Sequence, residues 1–552
     1  MSSEHHTNPQ SSQDLLWWQR GVVYQIYPRS FKDTTSNGTG DLQGVIDRLD
    51  HLNDGTPDSL GIDAIWLSPF YPSPMADFGY DVADYCDVDP LFGDLATFDR
   101  LVADAHRRGV KIIIDYVPNH SSDQHPWFIQ SRSSRDNPKR DWYTWRDPKP
   151  DGSPPNNWLS VFGGLAWEWD ETSGQYYLHS FLKEQPDLNW RNPDVKAAMF
   201  DVLRFWLERG VDGFRIDVAH YIMKDPHLRD NLPNPSQRPA IHRPLGDYDS
   251  QLHLHDKGHP DVHEVYRQFR QLLDAYSAES PRVSVGEIHI FDWPKWASYY
   301  GEQLDELHMP FNFALLNVEW RAQAICQVVD ALEAALPPSA WPNYVLGNHD
   351  EPRLASRYGR DQARVAGLLL LTLRGTPTLY YGDELGLGNG IIPPDKIQDP
   401  QGINLGAEHT RDVCRTPMQW DGSPNAGFSD VEPWLPVSAD YGTRNVAVQS
   451  ADPTSILNLY RRLLWYRRGS PALYGGTYRP LDVGDDDCFV YLRTAGDERR
   501  LIALNFTDDQ RYISVPGEDT GQIVISTHLD REEKVSLSRL ELRPHEGLIV
   551  EL

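Results

Sequence analysis

The 552-residue sequence predicts an α/β fold, a closed (β/α)8 barrel with an antiparallel β domain packed behind it. Two observations carry this. Eight short runs of apolar, β-branched or aromatic residues alternate with helical patterns, the signature of parallel strands joined by crossover helices. Towards the C-terminus the helical period gives way to strand alternation. A doubly wound open sheet is the rival reading of the same pattern.

The eight runs fall at 22–31, 62–69, 111–117, 211–218, 283–288, 307–313, 344–346 and 377–381. The clearest helix between them spans 193–210, with Pro193 at its first position and Gly210 as its stop. Val195, Met199, Val202 and Trp206 recur on one face of that helix, which is therefore the buried one. Residues 119–190 break the alternation. They are rich in Pro, Asn, Asp, Ser and Trp, with only short strand-like pieces such as 175–179. A segment of that length is a functional loop or a small inserted domain. After a helix at 456–468, strands at 489–493, 501–505, 511–515, 522–526 and 548–552 read as a separate antiparallel unit.

Composition narrows the function. The 18 Trp, 26 Tyr and 18 Phe can fill large cores and still furnish a binding surface, which excludes wholesale disorder. With 52 Lys+Arg against 80 Asp+Glu, the net charge of -28 repels polyanions, so no nucleic-acid partner is expected. Cys86, Cys326, Cys414 and Cys488 are widely spaced with no CxxC pair, which argues against zinc or a disulfide framework and for buried free thiols. The N-terminus lacks a basic stretch followed by an apolar one, and the most apolar run, 365–373, is far short of the ~20 residues that span a bilayer. The expectation is a cytoplasmic protein with no membrane partner.

Chemistry gathers at predicted strand ends, where barrels carry their active sites. Asp115 and His120, Arg215 and Asp217, Glu287, and His349 with Asp350 all sit there. One such carboxylate could equally cap the next helix, but several converging on one barrel mouth point to function. An oxocarbenium-like transition state needs a carboxylate below the anomeric carbon and an acid beside the leaving oxygen. Alternation puts Arg215 and Asp217 on one face of their strand, roughly 6–7 Å apart at Cα. Arg215 would then keep Asp217 ionised, as a nucleophile requires, unless the two are only a buried structural pair. Glu287 follows an apolar run, 283–286, where desolvation should raise its pKa towards that of a general acid.

DYVPNH (115–120), GFRIDVAH (213–220), GEI (286–288) and NHD (348–350) resemble, in order, the four signature regions of the α-amylase superfamily, glycoside hydrolase family thirteen. QPDLNW (185–190), NNWLSVFGG (156–164) and RDVCRTPMQWD (411–421) resemble its oligo-1,6-glucosidase/α-glucosidase branch. The resemblance implies barrel domain A over 1–118 and 191–474, an inserted domain B at 119–190, and a C-terminal β domain at 475–552. It implies Asp217 as nucleophile, Glu287 as acid/base, and Asp350 as a third carboxylate gripping sugar hydroxyls. Asp115 would orient Arg215. His120 and His349 would bond hydroxyls of the glucose in the -1 subsite, Tyr80 would stack beneath its ring, and Phe162 and Phe181 would line the pocket. Asp77 with Arg411 would close the far end against a preceding sugar, although Arg415 stands nearby as a rival for that place.

The implied activity is a retaining, exo-acting α-glucosidase on short oligosaccharides, monomeric or homodimeric and needing no cofactor for its chemistry. Transglucosidases and sucrose or maltose isomerases share every one of these residues. Val218, next to the nucleophile, tends in this branch to accompany α-1,6 preference, but it leaves the linkage open. Many relatives bind Ca2+ or Mg2+ in the loop after the first strand. Here Asp33, Asn37, Asp41 and the Thr39 carbonyl would supply the oxygens, with Thr35 and Asn37 where Asn and Asp are usual.

Overall fold

Alternation along the barrel strands sorts side chains into an inner and an outer set. The computed structural model describes residues 15–236 and 244–552. Its first ten strands are β1 (Val23–Ile26), β2 (Ala64–Leu67), β3 (Lys111–Tyr116), β4 (Trp145–Arg146), β5 (Trp167–Asp170), β6 (Gln175–Leu178), β7 (Gly213–Ile216), β8 (Val283–Gly286), β9 (Met309–Pro310) and β10 (Thr378–Tyr380). Seven form one parallel sheet in the order β10-β1-β2-β3-β7-β8-β9. Val23, Ala64, Trp66, Ile113, Val283, Val285, Met309, Phe311 and Val345 pack together as an inner cluster. Tyr24, Ile26, Ile65, Leu67, Ile112, Ile114, Phe214 and Ile216 face the helices instead.

Closure of the barrel is subtler than the sequence suggests. The expected strand at 344–346 is present only as two isolated parallel bridges, Asn312 to Tyr344 and Val345 to Thr378. These join β9 to β10 and curl the sheet into a barrel rather than a doubly wound sheet. The expected strand at 307–313 shrinks to Met309–Pro310, although Phe311 N–H still donates to the Gly286 carbonyl at 2.7 Å.

The helix Pro193–Glu208 forms as its sequence demands. The Asn192 side chain accepts from Asp194 N–H as N-cap, Pro193 fills the first position, and Val195, Met199, Val202 and Trp206 are buried. Between β3 and β7, β4, β6 and β5 form a small antiparallel sheet over a cluster of Trp158, Ala166, Trp167 and Leu178. β5 went unrecognised in the sequence because its alternation is broken by two tryptophans of opposite exposure.

The remaining strands are β11 (Thr477–Leu481), β12 (Cys488–Ala495), β13 (Glu498–Asn505), β14 (Arg511–Ile513), β15 (Thr520–Ser526), β16 (Lys534–Ser536), β17 (Leu540–Leu542) and β18 (Gly547–Glu551). They form an antiparallel sheet, β11-β12-β13-β18-β15-β16, and a separate pair, β14-β17. The apolar run 365–373 lies almost wholly in the buried helix Arg360–Thr372. Among the described residues no helix is long and apolar enough to cross a membrane. All four cysteines are free, with Cys414 and Cys488 buried and Cys86 and Cys326 half-buried.

Candidate active site

The parity that puts Ile113, Gly213 and Val283 inside the barrel puts Asp115, Arg215, Asp217 and Glu287 above them at its C-terminal mouth. Asp115 and Arg215 are register partners across β3 and β7. Arg215, itself fully buried, is the hub. Its Nη1 donates to Asp115 Oδ1 at 2.6 Å and to Asp217 Oδ1 at 2.8 Å, and its Nη2 lies 2.8 Å from Glu287 Oε2. Trp66 Nε1 and the Tyr80 hydroxyl donate to the other oxygen of Asp115, at 2.9 and 3.2 Å.

Three buried carboxylates share one guanidinium, so their titrations are coupled and each charge disfavours the others. The expected rise at Glu287 is not what the structure gives. Burial pushes its pKa up, but Arg215 and His289 outweigh burial and draw it down to about 2. The rise falls on Asp217, driven up by burial and by the Glu287 and Asp115 charges beyond what Arg215 offsets. The apolar strand was a true signal of burial; it could not reveal the contacts with Arg215 and His289 at its end.

Val218, next to Asp217, has φ +34°, a region that a β-branched residue rarely occupies. In that turn its N–H donates to Glu287 Oε2 at 2.9 Å, so the strained turn after β7 is tied to the carboxylate after β8. Gly286 keeps β8 close: a Cβ there would collide with Leu307.

A second buried network also borders the cavity. Arg411 Nη2 donates to Asp77 Oδ1 at 2.8 Å and to Asp399 Oδ1 at 2.7 Å, and its Nη1 to Asp350 Oδ1 at 3.0 Å. Gln185 Nε2 reaches Asp77 Oδ2 at 3.2 Å. Geometry separates the two arginines. Arg415 donates to Asp350 Oδ1 at 2.8 Å and to the His349 carbonyl at 2.8 Å, with no bond to Asp77. Burial works against the Arg411 charge, but Asp399, Asp77 and Asp350 raise its pKa well above the ordinary value. Arg411 and Asp77 side chains are each only 7% exposed, so this is no surface ion pair.

Between the networks lies a cavity of about 780 Å³, counting its open mouth. Asp77, Tyr80, His120, Phe162, Phe181, Asp217, Glu287, Asp350 and Arg411 line it. Arg215 and His349, also expected at the substrate, stand one layer behind. Both ring nitrogens of His349 are engaged, with Gln25 Nε2 at 2.8 Å and the Tyr80 hydroxyl at 2.7 Å, and its ring lies parallel to Tyr80. In this arrangement His349 supports Tyr80 rather than meeting a sugar hydroxyl. His120 faces the cavity, with Gln185 Nε2 3.1 Å from its Nε2. Burial lowers the pKa of His120 to about 4 and of His349 to about 3, so both are neutral at pH 7.

Sequence reasoning missed Val161, Tyr221, Leu245, His289, Gln401 and Glu351, which also line the cavity, and Asp399, which braces Arg411. His289 and Glu351 adjoin recognised motifs and could have been flagged; Asp399 had no local signal.

The loop singled out for a cation is tied by its own donors. Asp33 accepts from Thr35 N–H, Gly38 N–H and the Ser429 hydroxyl at 2.9, 2.8 and 2.6 Å, and Asn37 Oδ1 accepts from Thr39 N–H at 2.8 Å. Asp41 accepts from Thr34 N–H and caps the helix Leu42–Ile46 through Gly44 N–H. A hard cation there would compete with these donors for the same oxygens.

The chain resembles known proteins along nearly its whole length. It is 43% identical to a probable α-glucosidase of Rhizobium meliloti over 97% of this chain and 98% of that one. It is 36% identical to an oligo-1,6-glucosidase of Parageobacillus thermoglucosidasius, over 98% and 99% of the two chains. A solved α-glucosyl transfer enzyme superposes with TM-score 0.91 at 40% identity, covering 98% of this chain and all of that one. The description "Alpha amylase, catalytic domain" matches residues 25–476, and with that span, the barrel and the carboxylates at its mouth, the chain belongs to the α-amylase family.

Proposed function

We propose that this protein is a retaining, exo-acting α-glucosidase that removes a terminal, non-reducing α-linked glucose from short oligosaccharides. One observation carries the reading. The cavity is lined both by Asp217 and Glu287 and by Asp77, Asp350 and Arg411, which buried ion pairs tie together, a wall suited to gripping the hydroxyls of a terminal sugar. The relatives named α-glucosidase and oligo-1,6-glucosidase support it.

In the first half-reaction Asp217 attacks C1 as Glu287 gives its proton to the leaving oxygen; in the second, Glu287 takes a proton from water as water displaces Asp217 from C1. The acid step needs Glu287 protonated, and the leaving oxygen receives that proton as the C1–O bond breaks. These carboxylates supply acid, base and nucleophile, so the chemistry calls for no cofactor. A Ca2+ or Mg2+ ion at Asp33, Asn37, Asp41 and the Thr39 carbonyl would be structural, since that loop lies outside the cavity lining. Four unpaired cysteines suit a reducing compartment, and we place the site of action in the cytoplasm.

Proton NMR of separate reactions on maltose, isomaltose and sucrose tests the reading. Early α-glucose supports retention and exo action, early β-glucose refutes retention, and the relative rates give the linkage. The likeness to an α-glucosyl transfer enzyme favours transfer as a second reading. New disaccharide signals with little free glucose would establish that reading in place of hydrolysis.

A further inference from the structure

Glu287 is held by groups of two kinds. Its Oε2 is bound from the β7 side by Arg215 Nη2 and Val218 N–H. Its Oε1 meets His289 Nε2 at 3.0 Å. The His289 imidazole lies almost flat on Phe313, with ring centroids 4.2 Å apart and planes 13° from parallel, and it lines the cavity beside Glu287. Two residues past the carboxylate, on a segment anchored by Ala219 N–H to the Glu287 carbonyl at 3.0 Å, the ring has little freedom to turn away.

We propose that His289 is a positioning residue for Glu287: braced on Phe313, it fixes Oε1 so that the carboxyl is aimed at the leaving-group oxygen. This rests on the α-glucosidase reading above. His289 surrenders no proton in the cycle; the proton passes from Glu287 to the leaving oxygen as the C1–O bond breaks, and water restores it. Other ionisable groups facing Glu287 are Arg215 on β7, Asp217 just after it, Asp115 on β3, Asp350 in the cavity lining, and His220, whose Nδ1 is 3.3 Å from the Glu287 carbonyl. Contact with His289 holds the Glu287 pKa down, so losing that contact raises it, and the alkaline limb of kcat/KM moves to higher pH.

The test compares His289→Phe, which keeps a ring for Phe313 and loses the donor, with His289→Asn, which keeps a donor and loses the ring. Maltose needs its leaving oxygen protonated; p-nitrophenyl α-glucoside does not. With His289→Phe, kcat/KM on maltose should fall about 10- to 100-fold, within the range of general acid catalysis. The fall on the nitrophenyl substrate should stay under about 3-fold, as little protonation of the leaving group is at stake. The alkaline limb on maltose should rise by about half a unit or more, the scale of one lost hydrogen bond to a carboxylate, and His289→Asn should recover part of both effects. Equal losses on the two substrates, or an unmoved alkaline limb, would overturn the proposal. If His289→Phe fails to fold, His289→Ala, which also loses the donor, is compared with wild type, with the same two refuting results. Wild-type turnover of both substrates separates a failure of this inference from a failure of the α-glucosidase reading.

Discussion

Replacing Asp77 by Asn separates a group kept for a ligand from one kept for the fold. Burial raises the Asp77 pKa, with Arg411 working against it. A carboxyl whose folded pKa lies above its unfolded value binds its proton more tightly in the folded state. Ionised at neutral pH it therefore subtracts from stability, and the penalty disappears as pH falls through the folded pKa. Asn removes that penalty, while Arg411 keeps Asp399 and Asp350 as partners. Thermal stability should accordingly hold or rise slightly. Activity should not. A charge-assisted hydrogen bond is worth about 1.5–3 kcal/mol, so losing one to the terminal glucose in the transition state lowers kcat/KM by roughly 10- to 150-fold at 1.36 kcal/mol per decade. Steady-state kinetics on maltose with a thermal melt of the same preparation measures both. A variant that loses about 3 kcal/mol of stability or more, the scale of a broken buried pair, and keeps wild-type kcat/KM would refute the reasoning and make Asp77 a structural ion.

Three further outcomes are expected. Asp217→Asn should reduce hydrolysis by about four or more orders of magnitude while a bound sugar is still retained, measured by single-turnover kinetics and calorimetry; unchanged turnover would remove it as nucleophile. Val218→Thr, at the cavity wall beside Glu287, should shift the maltose to isomaltose rate ratio by about 5- to 100-fold, the equivalent of 1–3 kcal/mol for a small change of side chain in a pocket; an unaltered ratio would show that linkage is read elsewhere. Removing divalent cations with a chelator should leave kcat unchanged and cost about 1 kcal/mol or less, as expected for a weak site near its dissociation constant. A large loss of activity on chelation would show that an ion at residues 33–41 matters more than its self-satisfied oxygens suggest.

Much of this protein can be read from its sequence, because period and punctuation are local. The helix Pro193–Glu208 announces itself through its cap, its proline and its apolar face. Strand parity alone places Arg215 and Asp217 together, and the four motifs name the carboxylates. The limits are equally physical. The strand expected at 344–346 dissolves into single bridges, because hydrogen bonding there is decided by the two neighbours that close the barrel. The choice of Arg411 over Arg415 depends on contacts across 334 residues of chain, which no spacing rule encodes. Asp399 had no motif at all, yet it braces that arginine from complete burial. The proton follows the same division. An apolar strand shows that Glu287 is buried, whereas its charge depends on Arg215 and on the cavity-facing ring of His289. Sequence fixes which groups are present and how each element faces, since those follow from local geometry; their pairing, and hence their chemistry, is set by distances that only the closed barrel brings within hydrogen-bond reach.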